Sequence, residues 1–172
     1  MTSDQVSIGW QFLDEGDNEA ARWEFEDYIS KNAGESSGYV GLGKALARLG
    51  DYGDALRAFE TAVQLDPRSS ETHCGMGSAY SYLGMFAEAL EAYKQAIRWD
   101  SENSDAQYGL AWVYYQMGDQ KKAAFHAGRA SELAPGVTRN HLLAARCIGS
   151  KDAERTLHPY FRCILQPEDG FL

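Results

Sequence analysis

Residues 36–69, SSGYVGLGKALARLGDYGDALRAFETAVQLDPRS, and residues 70–103, SETHCGMGSAYSYLGMFAEALEAYKQAIRWDSEN, are two copies of one 34-residue pattern. Gly41-Leu42-Gly43 falls on Gly75-Met76-Gly77, Gly50 on Gly84, and Ala55-Leu56 on Ala89-Leu90, with no gap between the copies. Phe59, Ala62 and Leu65 fall on Tyr93, Ala96 and Trp99. A fixed period of this length marks stacked units rather than one closed globule.

The register extends outward in both directions. Units starting at Thr2, Ser36, Ser70, Ser104 and Thr138 span 2–35, 36–69, 70–103, 104–137 and a divergent 138–171, a single domain over 1–172. The eighth slot holds Gly9, Gly43, Gly77, Ala111 and Ala145; the fifteenth holds Gly16, Gly50, Gly84 and Gly118, with Asp152 in the last unit. The twentieth slot holds Ala21, Ala55, Ala89 and Ala123, then Leu157; the twenty-fourth holds Phe25, Phe59, Tyr93, Ala127 and Phe161. Leu42, Gly43 and Leu46 share one helical face, and Ala55, Phe59, Ala62 and Val63 another. Gly50 suits the left-handed residue that closes a helix, and Pro67 stops the second helix of its unit. Small residues in the eighth and twentieth slots let paired helices approach, and the aromatic of the twenty-fourth fills the space between them. One pair cannot bury both faces, so neighbours must stack.

These residues resemble the tetratricopeptide (TPR) repeat, a helix-turn-helix unit of 34 residues, over nearly the whole chain. Ala33, Ser101 and Asp169 depart from it where Pro67 and Pro135 close other units, as do Ala111 and Ala127 in the fourth. The fold class this implies is all-α: a right-handed α-solenoid of antiparallel helix pairs, about four clear repeats plus a divergent C-terminal capping repeat. His141, Ala144, Ala145 and Ile148 carry the last unit's first helix; Leu157, Phe161, Ile164 and Leu165 carry its second, expected to kink at Pro159 and stop near Gln166, before Pro167.

Composition is that of an ordinary globular chain, 44% hydrophobic and 24% charged. With 25 acidic against 16 basic side chains the net charge is -9, which disfavours nucleic acid and anionic membrane as partners. No run is long and apolar enough for a membrane span. Met1-Thr2-Ser3-Asp4 lacks the basic start of a signal peptide. Cys74, Cys147 and Cys163 are odd in number and scattered, which suits a reducing compartment; a cytoplasmic location is expected.

In stacked pairs of this family the first helices line the concave side, and the slots left over from packing are the second, fifth, ninth, twelfth and thirteenth. Here that stripe includes Trp10, Leu13 and Asp14, then Val40, Lys44 and Arg48, then Glu71, Cys74, Ser78 and Tyr82. It continues through Asp105, Tyr108, Trp112, Tyr115 and Gln116 to Arg139, Leu142 and Arg146. An aromatic floor of Tyr82, Tyr108, Trp112 and Tyr115 lies between Lys44 and Arg48 on one side and Arg139 and Arg146 on the other. Aromatics beside arginines are the composition of interface hot spots, and cations in an acidic molecule would steer an acidic segment inward. The bland alternative is a solvated helix face with its aromatics buried by tight curvature. The carboxylate clamp of one family subclass is missing: Lys44 stands where that clamp has asparagine, and Ser7, Val40, Gly41 and Gly75 supply no amide or cation.

Trp10 and Trp23 are expected to cover the N-terminal end of the stack; the alternative is that the end stacks on a second copy, giving a homo-oligomer. Phe171 and Leu172 either dock back on the solenoid or enter a neighbour's groove. His73 and His141 occupy a packing slot, and His158 and Cys163 are poorly spaced for one helical face. No nucleophile–base grouping, phosphate loop or metal pair can be read; neither catalysis nor a cofactor is expected. The function implied is a scaffold that binds a protein or peptide segment, acidic or aromatic, in the concave groove. A bacterial secretion or pilus-assembly chaperone and a self-assembling scaffold are the alternatives.

Overall fold

The computed structural model describes residues 2–148, with side chains from Val6 to Cys147. Those residues form nine helices and no strand: α1 (Thr2–Glu15), α2 (Asn18–Lys31), α3 (Ser36–Leu49), α4 (Tyr52–Leu65), α5 (Ser70–Tyr82), α6 (Phe86–Trp99), α7 (Ser104–Gln116), α8 (Gln120–Leu133) and α9 (Thr138–Ile148). The second helix of the last unit, its kink at Pro159 and its stop near Gln166, the pair His158–Cys163 and the Phe171–Leu172 tail lie outside the described residues.

Each turn within a pair is closed in one way. Gly16, Gly50, Gly84 and Gly118 take φ of 84°, 92°, 75° and 80°, a left-handed conformation that glycine enters without a Cβ penalty. The next amide then reaches back five residues, as Asp51 N–H to Leu46 O at 2.9 Å and Met85 N–H to Tyr80 O at 2.9 Å, satisfying carbonyls at the end of the first helix. The residue making that bond is also the N-cap of the second helix. Asp17 and Asp119 accept from the amides of Ala20 and Lys122 at 3.0 and 3.2 Å. Asp51 makes no such bond, and Met85 has no acceptor for one. A missing cap costs a helix about 0.5–2 kcal/mol.

Every helix packs on its neighbours in sequence, and the first helices α1, α3, α5, α7 and α9 also touch one another in series. The second helices do not pack on one another to a comparable extent, so the stack is an all-α solenoid curved toward its first helices. Its core is a row of rings, each held between two glycines of different units. A methyl built on Gly43 or Gly75 would lie 2.6 or 2.5 Å from the Phe59 ring. Phe25 occupies the same place between Gly9 and Gly41, and Tyr93 between Gly77 and Gly109. Phe25 and Phe59 are wholly buried and Tyr93 nearly so. At the fourth unit the arrangement inverts: Ala127 stands in the ring slot and Leu143 of α9 in the glycine slot, and both lie with Ala111 in one buried cluster.

Several placements differ from expectation. Tyr80 and Tyr114, whose slot in the repeat is a packing one, are half-buried against the core rather than within it. Trp10 turns inward, edge-on to Phe25 with centroids 5.3 Å apart. Trp23 is 64% exposed, because its slot is the outward one that carries Arg57 and Glu91 in later units. His73 and His141 each set Nε2 against the carbonyl oxygen of the proline in the preceding turn, Pro67 at 3.1 Å and Pro135 at 2.7 Å. Each thereby ties a first helix to the unit before it.

The ring-and-glycine row predicts opposite outcomes for two alanine substitutions. Gly75→Ala overfills the site, because Gly43 stops the Phe59 ring from retreating; a loss of about 1–3 kcal/mol is expected. Gly53→Ala meets nothing within 4 Å and is expected to gain up to about 1 kcal/mol from helix propensity. Urea unfolding of both variants measures the contrast.

Candidate functional site

The inner wall carries an open cavity of about 510 Å³, running along α3, α5, α7 and the start of α9. Ten residues of the stripe named from the sequence line it together: Lys44, Arg48, Glu71, Cys74, Ser78, Tyr82, Asp105, Tyr108, Trp112 and Arg139. Trp10 and Tyr115 are half-buried beside the same row of helices, and Gln116 and Arg146 are exposed; none of these four borders the cavity. Tyr82 is 64% exposed at the C-terminus of α5, with its ring 6.5 Å from that of Trp112. Trp112 is half-buried and packs against two core clusters.

The four cations differ most from expectation. None is a bare flank; each ties one first helix to the next. Lys44 of α3 pairs with Glu71 of α5 and lies 5.1 Å from the Trp10 ring of α1. Arg48 donates to the Leu13 carbonyl of α1. Arg139 of α9 pairs with Asp105 of α7 and sits 5.1 Å over Tyr108. Arg146 lies 5.3 Å over Tyr115 and donates to its hydroxyl at 3.4 Å. The cause is the slot geometry: a carboxylate in the second slot reaches the cation of a neighbouring first helix. Such half-exposed pairs add little stability, about 0–1 kcal/mol each. They do place carboxylates inside the cavity, so an incoming acidic group must compete with Glu71 and Asp105.

Four contributors were not singled out from the sequence. Glu71 and Asp105 stood in the stripe with no role assigned, although Asp105 and Arg139 share a slot one period apart. Tyr52 and Phe86, at the starts of α4 and α6, reach the wall from the second helices. Tyr52 stacks on Tyr82 with centroids 4.7 Å apart and rings 5° from parallel, and Phe86 meets Trp112 edge-on at 6.4 Å. The signal for them was an aromatic at the same slot of consecutive units.

Burial, reinforced by the Asp105 carboxylate, pushes the Cys74 thiol up to about 12, and burial likewise raises the Tyr93 hydroxyl. Burial lowers the His126 imidazole, whose Nδ1 lies 2.9 Å from Gln107 Oε1 and whose ring stacks on Tyr114. Among the described residues no three His, Cys, Asp or Glu side chains gather as metal ligands, and no helix is long and apolar enough to cross a membrane. The wall presents rings, hydroxyls and tied charges, chemistry suited to holding a segment of chain.

Three family models match the chain: tetratricopeptide repeat models over residues 36–69 and 105–135, and a TPR repeat model over 77–118. The matches over 36–69 and 105–135 coincide with the pairs α3–α4 and α7–α8, and the match over 77–118 runs from within α5 to Gly118. The chain is a tetratricopeptide repeat protein. Similar solved structures include MamA, 25% identical with a TM-score of 0.71 and 86% of each chain covered. A thermophilic TPR protein of Thermus thermophilus is 21% identical with a TM-score of 0.80, covering 89% of this chain and 84% of that one. YrrB, described as a TPR protein with an unusual peptide-binding site, is 15% identical with a TM-score of 0.64, covering 87% and 77%. The last two likenesses concern the fold alone. No curated protein matches the sequence. As a tetratricopeptide repeat protein the chain is a protein-interaction scaffold.

The Cys74 thiol gives a test of how closed the wall is. At pH 8 a folded C147S/C163S variant is expected to react with a thiol reagent far more slowly than an unfolded control. The rate should rise steadily with pH, levelling off only near about 12, and should rise at once when urea opens the stack. Rapid labelling at pH 8 would mean that the wall does not hold this half-buried thiol in its neutral form.

Proposed function

We propose that this chain holds a segment of a partner protein, extended or helical, along the inner wall formed by α3, α5, α7 and α9. The observation that carries this reading is Tyr82, a large ring left open to solvent beside Trp112 above the cavity. Contiguous exposed aromatics on a soluble surface mark interaction sites, and rigid rings next to arginines supply contact area at low entropic cost. The fold likeness to YrrB, described as having a peptide-binding site, is consistent with this use of the scaffold. Lys44, Arg48, Ser78, Tyr108 and Arg139 would orient the segment, with Trp10, Tyr115, Gln116 and Arg146 extending the track at its ends. Because Lys44 and Arg139 are already tied to Glu71 and Asp105, the preferred segment brings aromatic or apolar side chains together with charges of both signs.

Self-stacking through the N-terminal end has less to support it. Ser7 and Gln11 face outward in the slots where later units bury Gly41 and Ala45. Polar outward slots are those of a terminal capping unit. A secretion chaperone would use the same wall and differ only in its client.

Tyr82→Ala separates the proposal from a merely structural role better than Trp112→Ala, since Trp112 also packs the core. Against a partner identified by cross-linking, Tyr82→Ala is expected to weaken affinity by about tenfold or more, with helix content and Tm nearly unchanged. Unaltered affinity measured by titration calorimetry would remove the inner wall from the account.

A further inference from the structure

We propose that copies of this chain join head to tail through their outer helices, α2 of one copy against α8 of the next, with the inner wall left free. Besides Tyr82 on the inner wall, the most exposed large apolar side chains among the described residues are Trp23 of α2 and Phe125 of α8, each 64% exposed. Both stand in the twenty-second slot, three units apart. One helical turn to either side of each ring lies a charge of one sign: Glu19 and Asp27 around Trp23, Lys121 and Arg129 around Phe125. Residues four apart on a helix are neighbours, and all six side chains are exposed. Each helix therefore presents one outward stripe, acid–ring–acid on α2 and base–ring–base on α8. The units between have no such stripe; the same slots hold Gly53, Arg57 and Thr61 on α4, and Ala87, Glu91 and Gln95 on α6. The basic stripe also runs against local preference. A helix N-terminus favours carboxylates, and α2, α4 and α6 place Glu19, Asp54 and Glu88 in their first turns, whereas α8 has no acidic residue there and carries Lys121 and Lys122. The isolated fold gains nothing from that reversal of sign; a contact with an acidic stripe does.

Charge selects a second copy as the occupant, because a foreign surface could match one stripe and another copy matches both. α2 carries four carboxylates against two cations, and α8 three cations against one carboxylate. The opposing charges on these helices, Arg22, Lys31 and Glu132, are held within their own helix by Glu19, Asp27 and Arg129. Exposed pairs of this kind are worth about 0–1 kcal/mol each and exchange readily for a contact across an interface. Arg57 and Glu91, in the ring slot of the middle units, are likewise engaged by Asp54 and Gln95. The net charge of -9 opposes association at long range, but at physiological salt charges more than about 8 Å apart are largely screened, so the facing stripes decide. The second helices lie on the convex side, so two copies set back to back would touch near α4 and α6 and part at α2 and α8. The contact is therefore heterologous and builds an open row rather than a closed pair.

Sedimentation velocity of the full chain over a concentration series, at about 0.15 M salt, is expected to show species that grow past the dimer. The double variants Glu19→Lys with Asp27→Lys, and Lys121→Glu with Arg129→Glu, each present one sign on both helices and should need about tenfold or more higher concentration to associate. Mixed in equal amounts, the two variants should associate again, as should a single chain carrying all four changes. Trp23→Ser should weaken association with Tm nearly unchanged, since its ring stands in solvent in the monomer. A scaffold effect of the charges would not be rescued by mixing two damaged chains. A chain monomeric at every concentration, growth that stops at the dimer, association untouched by either reversal, or reversals that mixing fails to rescue would each overturn the proposal.

Discussion

The structure depends on one steric bargain: an aromatic ring lodged where two glycines, one from each of two consecutive units, leave room for it. Phe25, Phe59 and Tyr93 each bridge a unit boundary in this way. The ring fixes the spacing between helix pairs, and that spacing in turn sets how tightly the first helices crowd together. Their crowding makes the inner wall concave and brings slots from successive units into one cavity. The interaction surface is thus a by-product of how the core closes, repeated at a period of 34 residues.

On that wall the charged side chains serve the scaffold before they serve any visitor. Lys44–Glu71 and Arg139–Asp105 join successive first helices, and Arg48 and Arg146 do the same through a carbonyl and a phenol. Such ties are individually weak, and their value lies in orientation. They hold long side chains in one geometry, so the wall offers a fixed pattern of donors and acceptors rather than a cloud of mobile charge. The rings differ in kind: Trp112 is shared between core and cavity, whereas Tyr82 is supported by Tyr52 and left open on its other face.

Most of the fold was legible because its determinants are local and periodic. Glycine in the fifteenth slot has one conformational use here, and the helix pattern between glycines admits one reading. The wall was legible to the extent that slot position alone decides which way a side chain points, and Lys44, Ser78, Tyr108 and Trp112 line one cavity. What slot position could not reveal was pairing across units. Glu71 and Asp105 carried no role in the sequence reading because their partners lie 27 and 34 residues away, and the cations therefore looked free. The sixth-slot glycines Gly41 and Gly75 looked only like clamp slots without an amide or cation, and Gly109 drew no reading at all. Their purpose is steric and becomes visible only when the ring of the preceding unit is seen against them.

The inverted junction between the fourth unit and α9 has a consequence for how such a chain can evolve. At the first three boundaries the filling is interchangeable, ring against glycine, so a unit duplicated or lost there leaves matching surfaces. At the last, Leu143 faces Ala127, and a ring brought to that place by deletion of the fourth unit would collide with the leucine. The row of units is therefore free to lengthen or shorten near its start and locked at its finish, which gives an otherwise repetitive chain a defined polarity.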